Sequence, residues 1–216
     1  MWLDLVGRLE NPGPDSLGRF LSAWYGHSAS GVNEAPIQEL PEVLTSCYEL
    51  VGADLSSYTS YYRFLASSEL VVDGEHTIFC RGPAGETFEW AFVGSGLDPY
   101  TYEREGPESW RPTGLLLSEL ILYIFVSSAV FGADCGLVNM ALDRRGFESV
   151  VRGLRPLDHP LWAWPEPAVR FYHSEGLLAQ AGHDDGEFGY QVILAALSAD
   201  KLSQFNEVDW EWDSRE

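Results

Sequence analysis

The chain is predicted to fold as an α+β protein: N-terminal helices, an antiparallel β-meander covered by an apolar helix, then additional C-terminal strands and a helix. Three observations predict it. Apolar residues recur at helical spacing twice before residue 52, turn dipeptides separate short alternating segments between residues 70 and 104, and a nearly wholly apolar stretch, Leu115 to Phe131, follows them.

Leu17, Phe20, Leu21, Trp24 and Tyr25 mark the first helix, behind Asp15 and Ser16 as capping residues and before Gly26 as its stop. A polar connection from His27 to Pro36 leads to the second, with Leu40, Val43, Leu44, Cys47, Tyr48 and Val51 on one face and Pro41 in its first turn. Leu70 to Val72 and His76 to Cys80 flank Asp73-Gly74, which accepts the positive φ angles of a tight hairpin turn. Arg81 to Gly85 then turns the chain into a strand from Thr87 to Val93, and a further strand near Tyr100 to Glu103 completes the meander.

After the Leu115 to Phe131 helix, Phe147, Val150, Val151 and Leu154 predict another. A Pro-rich connection (Pro156, Pro160, Pro165, Pro167) follows, interrupted by Leu161, Trp162, Ala163 and Trp164. Val169 to Tyr172, Leu177 to Ala181 and Tyr190 to Leu194 read as strands turned at Glu175-Gly176 and Asp185-Gly186, and Ser198 caps a closing helix through Leu202 and Phe205. We expect a single domain over 1–216, elaborated over 156–216.

Candidate chemistry is thin. Gly26-His27-Ser28-Ala29-Ser30 approaches a nucleophile elbow, but that motif needs a strand before its serine and a Gly where Ser30 stands. His183, Asp184, Asp185 and Glu187 are the densest set of metal-ligand types, yet supply too few oxygens for calcium and read as a solvated turn. His27, His76, His159 and His173 share no zinc spacing. Gly94-Ser95-Gly96 lacks the residues of a nucleotide loop, and Glu119, the only ionisable residue in the apolar helix, lacks a visible second carboxylate and is expected to serve the helix N-terminus or to pair with Arg111. No catalytic, metal or cofactor-binding residue is assigned, so the expectation is a protein that is not an enzyme. Val208, Trp210 and Trp212 alternate with Asp209, Glu211 and Asp213, which predicts an edge strand whose tryptophans complete the core or, alternatively, a binding strip.

Acidic residues outnumber basic ones 33 to 13, for a net charge of −20, and 17 of the acids precede Leu115 against 16 after it, so the whole surface is acidic rather than one tail. Such a field repels nucleic acid and anionic lipid and speeds encounter with cationic partners. Cys47, Cys80 and Cys135 have no paired spacing and read as buried free thiols of a reducing cytoplasm; no secretory signal is visible, and the 17-residue apolar stretch is short for a membrane span.

The order between residues 86 and 131 is specific: the Thr87 to Val93 strand, Gly94 and Gly96, Asp98-Pro99-Tyr100-Thr101-Tyr102, Trp110, then the apolar helix. Together with Leu40-Pro41 opening a helix that ends at Gly52, it resembles the SUKH superfamily (Smi/Knr-like), over about residues 36–131 and more weakly from Val192 to Leu202. The resemblance implies an immunity protein that binds a cognate, basic, nuclease-type toxin domain and blocks its active site or substrate groove. The superfamily also offers a regulatory or scaffolding module as the alternative, and an unrecognised hydrolase is a third reading. Expected partner-binding residues are Glu103, Glu105, Glu108 and Trp110, then Asp184, Asp185 and Glu187, then Trp210, Glu211, Trp212 and Asp213. Oligomeric state is not readable from the sequence.

Overall fold

A computed structural model describes residues 14–26, 40–52, 55–59, 61–83, 87–157, 169–183 and 189–214. The fold is α+β, with every strand pair antiparallel. Its contacts group into two compact units, one within Asn11–Ser128 and one within Ala129–Glu216.

In the first unit α1 (Pro14–Tyr25) buries Leu17, Phe20, Leu21 and Trp24 on the stripe that their spacing predicts. The helix opens at Pro14, so Asp15 and Ser16 lie in its first turn rather than before it. In α2 (Glu42–Val51) Pro41 is the N-cap, not a first-turn residue, and Val43, Leu44, Cys47 and Val51 are buried. A one-turn helix, α3 (Leu55–Tyr58), follows.

The meander then forms from β1 (Arg63–Phe64), β2 (Val71–Asp73), β3 (His76–Arg81), β4 (Phe88–Val93), β5 (Tyr100–Glu105) and β6 (Arg111–Leu116). The order is β1-β3-β4-β5-β6, with β2 sharing the β3 edge that β1 uses. Asp73 pairs with His76 across the Gly74 turn, where φ is 63°, so the turn residues are Gly74 and Glu75, one place later than the dipeptide suggests. A bulge between Ile78 and Cys80 turns Phe79 to the same face as Phe92, their rings 6.1 Å apart. Phe64 meets Phe79 and Phe125 there, and Tyr62 meets Trp90, which makes this face the core.

Helix α4 (Leu117–Phe131) is buried on all sides, from Leu117 and Leu120 to Val126 and Val130. Leu115 and Leu116, expected in the helix, end β6 instead, a strand that Pro112 and Gly114 disguised and that pairing with β5 creates. Asp98 holds the helix start: its carboxylate accepts from the Ser118 backbone N–H at 2.9 Å and from the Ser118 hydroxyl at 2.6 Å. Glu119 serves the helix start, as expected, by accepting from the Leu116 N–H at 2.8 Å, while Arg111 pairs with Glu103 instead. Among the described residues no helix is long and apolar enough to cross a membrane.

The second unit holds the sheet β12-β7-β11-β10-β9-β8, built from β7 (Cys135–Leu142), β8 (Arg155–Pro156), β9 (Val169–Ser174), β10 (Leu177–His183), β11 (Tyr190–Ala196) and β12 (Trp212–Asp213). The β7 strand is a correction, since Gly136 and Asn139 conceal its period from sequence; it gains its place by lying between β11 and β12. Helix α5 (Arg144–Val151) starts on an Asp143 cap that accepts from Gly146 N at 2.6 Å, and ends before Leu154. The closing helix (Ala199–Phe205) is a 3₁₀ helix rather than an α-helix, and Ser198 at its start makes no side-chain cap. One sheet face packs Leu137, Ala179, Val192 and Leu194 against Val150, Leu202 and Phe205. Residues 158–168, which carry most of the Pro-rich connection, and the turn at Asp185-Gly186 lie outside the described residues.

Cys47 and Cys80 are buried and Cys135 half-buried, all as free thiols, and burial pushes the Cys47 and Cys80 thiols up in pKa.

Two stability predictions follow. Asp98→Ala removes two bonds at a buried helix start and is expected to cost about 2 kcal/mol in urea denaturation, while Asp98→Asn, which still caps, costs less than half of that. His173 is buried, and its Nδ1 finds no hydrogen-bond partner among the described residues. Burial, then the charge of Arg155, pulls its pKa down from 6.5 to about 4. The unfolded chain therefore binds a proton that the folded one refuses between those values. Stability is retained above pH 6.5 and falls as pH drops toward 4, by up to about 1.4 kcal/mol per pH unit from this group. His173→Leu should flatten that segment of a pH-resolved denaturation series; an unchanged slope would assign it to carboxylates.

Candidate protein-binding surface

Cross-strand register builds a charged face on the first sheet, opposite its core side. Glu89 lies across from Arg104 on β5 and from Arg81 on β3, so three charged side chains share one face by alternation alone. Arg104 donates to Glu89 through Nε at 2.9 Å and Nη2 at 2.6 Å, and to Asp73 through Nη1 at 2.5 Å. Arg81 Nε donates to the other Glu89 oxygen at 3.1 Å. Trp110 covers this lattice. Its ring lies 4.3 Å from the Arg104 guanidinium carbon, stacks on His76 at 4.9 Å and 13°, and donates from Nε1 to Asp73 at 3.4 Å. Tyr102 meets His76 edge-on at 4.9 Å. Beneath them Leu65, Ile78 and Ala91 form a small apolar cluster, with Leu70 and Trp110 packed on it.

These positions revise what the acids near Trp110 can do. Glu103, expected among the partner-binding acids, is a half-buried strand residue on the other face: it lies across from Trp90 and pairs with Arg111 at 3.3 Å, and its burial raises its pKa. Glu105 and Glu108 are exposed around the β5–β6 turn and remain available. Trp110 is half-buried as the lid of the lattice, and therefore structural first.

The C-terminal strip divides. Trp210 packs against the core of the second unit and donates from Nε1 to Phe205 O at 2.9 Å, so it completes the core. Trp212 does not: it is 52% exposed, on β12. Glu211 and Asp213 flank it, and both are exposed. Extended pairing covers only Trp212–Asp213, although Glu211 N also bonds Val138 O and Ser214 N bonds Gly136 O. Asp184, Asp185 and Glu187 lie outside the described residues.

Sequence reasoning missed Asp73, His76, Arg81, Glu89 and Arg104. Opposite charges at alternating positions of adjacent predicted strands were the available signal, and they become informative only once register is known. Exposed Leu97 and Tyr100 were also missed as surface groups; they flank Asp98, whose capping bonds fix the loop between them. Among the described residues no group of three or more His, Cys, Asp or Glu side chains is placed to hold a metal ion.

No family model matches the chain, nor does any curated protein or solved structure.

Removing Arg104 strands Glu89 with Arg81 alone and uncovers Trp110. Both charged side chains are about four-fifths covered, so Arg104→Ala should cost about 2 kcal/mol by urea denaturation, against a smaller loss for the double change Arg104→Met/Glu89→Met.

Proposed function

We propose that this protein acts by stoichiometric capture of a cationic protein, in the manner of the immunity proteins that its sequence order resembles. The carrying observation is how the charge is distributed. Arg63, Arg81, Arg104, Arg111 and Arg144 each have a carboxylate within 4 Å, so part of the smaller basic complement is offset locally, most fully at the largely covered Arg104. Exposed acids such as Glu42, Glu75, Glu105, Glu108, Glu207 and Glu211 set the outward potential, within a net charge of −20. A field of that sign disfavours phosphate backbones and lipid anions, and attracts a protein that itself presents positive charge to nucleic acid. A toxin domain of that kind, with its substrate groove blocked by an acidic surface, is the partner this reading names.

The test is co-purification with the protein encoded by the adjacent gene, then stopped-flow association across a salt series. Association should slow steeply with salt while dissociation changes little, starting from rates toward ~10⁸ M⁻¹s⁻¹ at low ionic strength. Reversing Glu75, Glu105 and Glu108 to Lys should lower the association rate by at least about tenfold without unfolding the chain, since exposed substitutions usually alter stability by about 0.5 kcal/mol or less. A salt-independent association rate, or no complex with that protein, overturns the proposal.

A further inference from the structure

Among the described residues, each sheet has one edge strand that carries a proline and an opposite edge with no further strand on it. In the first sheet Pro112 sits in edge strand β6, and in the second Pro156 sits in edge strand β8; neither proline can donate to an added strand. The opposite edges, β2 and β12, carry Val71-Val72-Asp73 and Trp212-Asp213. They differ in what they present. At β2 the flanking acids are engaged, Asp73 with Arg104 and Trp110 and Glu69 with Arg63. At β12 an exposed tryptophan follows the exposed acids Glu207, Asp209 and Glu211 in the chain.

Trp212 is also held in place from below. It pairs with Val138, and a Cβ built on Gly136 would stand 3.4 Å from its ring and 2.9 Å from Leu194 O. The second distance excludes any side chain at 136, and the first shows that the bare backbone there is the shelf on which the indole rests. Ser214 locks the following turn of chain, its Oγ accepting from Gly136 N at 2.7 Å and donating to Asp134 O at 3.0 Å. About half of the indole therefore faces solvent on a pre-organised support, the arrangement that lowers the entropy cost of binding.

We infer that the β12 edge is a docking surface for an extended, arginine-bearing segment of the cationic partner, with one guanidinium stacked on Trp212 and neighbouring cations of the segment drawn to the exposed acids Glu207, Asp209 and Glu211. An exposed indole face in acidic surroundings suits the flat, weakly hydrated plane of a guanidinium better than it does the compact, strongly hydrated charge of an ammonium. Trp is also the residue type most enriched among energetic anchors of interfaces. The inference rests on the capture of a cationic protein proposed above, and adds where and through which chemistry.

The probe is a fluorescein-labelled decapeptide of alternating Arg and Thr, with Lys-Thr and Glu-Thr peptides of the same length, titrated against the full chain by fluorescence anisotropy. Wild type should bind the Arg peptide several-fold tighter than the Lys peptide, and the Glu peptide not at all. Trp212→Ala should weaken Arg-peptide binding about tenfold, Glu211→Gln about threefold, and Trp212→Phe, which keeps a ring over Gly136, less than Trp212→Ala. Circular dichroism confirms that each variant is folded, and Trp212→Phe keeps the comparison valid if the alanine variant is not. Equal, salt-sensitive binding of the Arg peptide by wild type and both Trp212 variants would overturn the docking surface while leaving capture of a cationic protein standing. Equal affinity for Arg and Lys peptides would overturn the guanidinium chemistry. Failure to bind either peptide, in a chain that still binds the protein of the adjacent gene, would overturn this surface alone; failure to bind any of them would overturn both proposals.

Discussion

The Asp98 carboxylate is the contact on which the first unit depends. An almost wholly apolar helix has little in its own sequence to satisfy its first N–H groups, and burial makes each unsatisfied one expensive. Asp98 supplies acceptors to Ser118 from a loop twenty residues earlier, Pro99 O accepts from Leu117 N, and Glu119 closes the remaining gap at Leu116. The same loop accepts a bond from Val43 N at Leu97 O, so the start of α2 is tied to the same backbone. One short segment between β4 and β5 thereby fixes two helices against the meander, and pushes Leu97 and Tyr100 outward as a consequence.

On the opposite face the Asp73, Arg104, Glu89 and Arg81 lattice does different work. Partly covered ion pairs contribute little net stability because desolvation offsets attraction, but they penalise wrong register severely. A one-residue slip of β4 against β5 would carry Glu89 to the core side and Trp90 to the charged side. The Trp110 lid extends that control to the β5–β6 turn, since its ring needs both the Arg104 plane and the Asp73 acceptor in position.

Most of the fold was legible in the sequence where local pattern and burial agree. The helices at Leu17 and Val43, the Asp73-Gly74 hairpin, the alternating strands at 88–93 and 177–183, and the buried helix all follow from period and turn chemistry. Strands β6 and β7 were not legible, because Pro112, Gly114, Gly136 and Asn139 break the alternation and only pairing with β5 and β11 makes these segments extended. Of the candidate surface, the Trp212 strip was visible as alternation, but its division into a core Trp210 and an outward Trp212 was not. That division arises because only Trp212–Asp213 pairs as a strand, so the alternation that would put both rings on one face stops short of Trp210. Glu103 misled for the same reason: a carboxylate on a strand reads as solvent-facing until its neighbours Trp90 and Arg111 are placed around it.

The β2 and β12 edges, which carry no further strand among the described residues, pose a question of self-association, since such an edge with exposed Val72 or Trp212 is a template for a second copy. Short strands limit the hazard, and charge limits it further. Two copies approaching edge to edge each bring a net charge of −20, and repulsion acts fully within a Debye length of about 8 Å at physiological salt. The same field lowers the barrier for a cationic segment approaching the same backbone groups. Acidity and such edges are therefore compatible features of one chain: the charge that keeps like copies from pairing selects the sign of the chain that can.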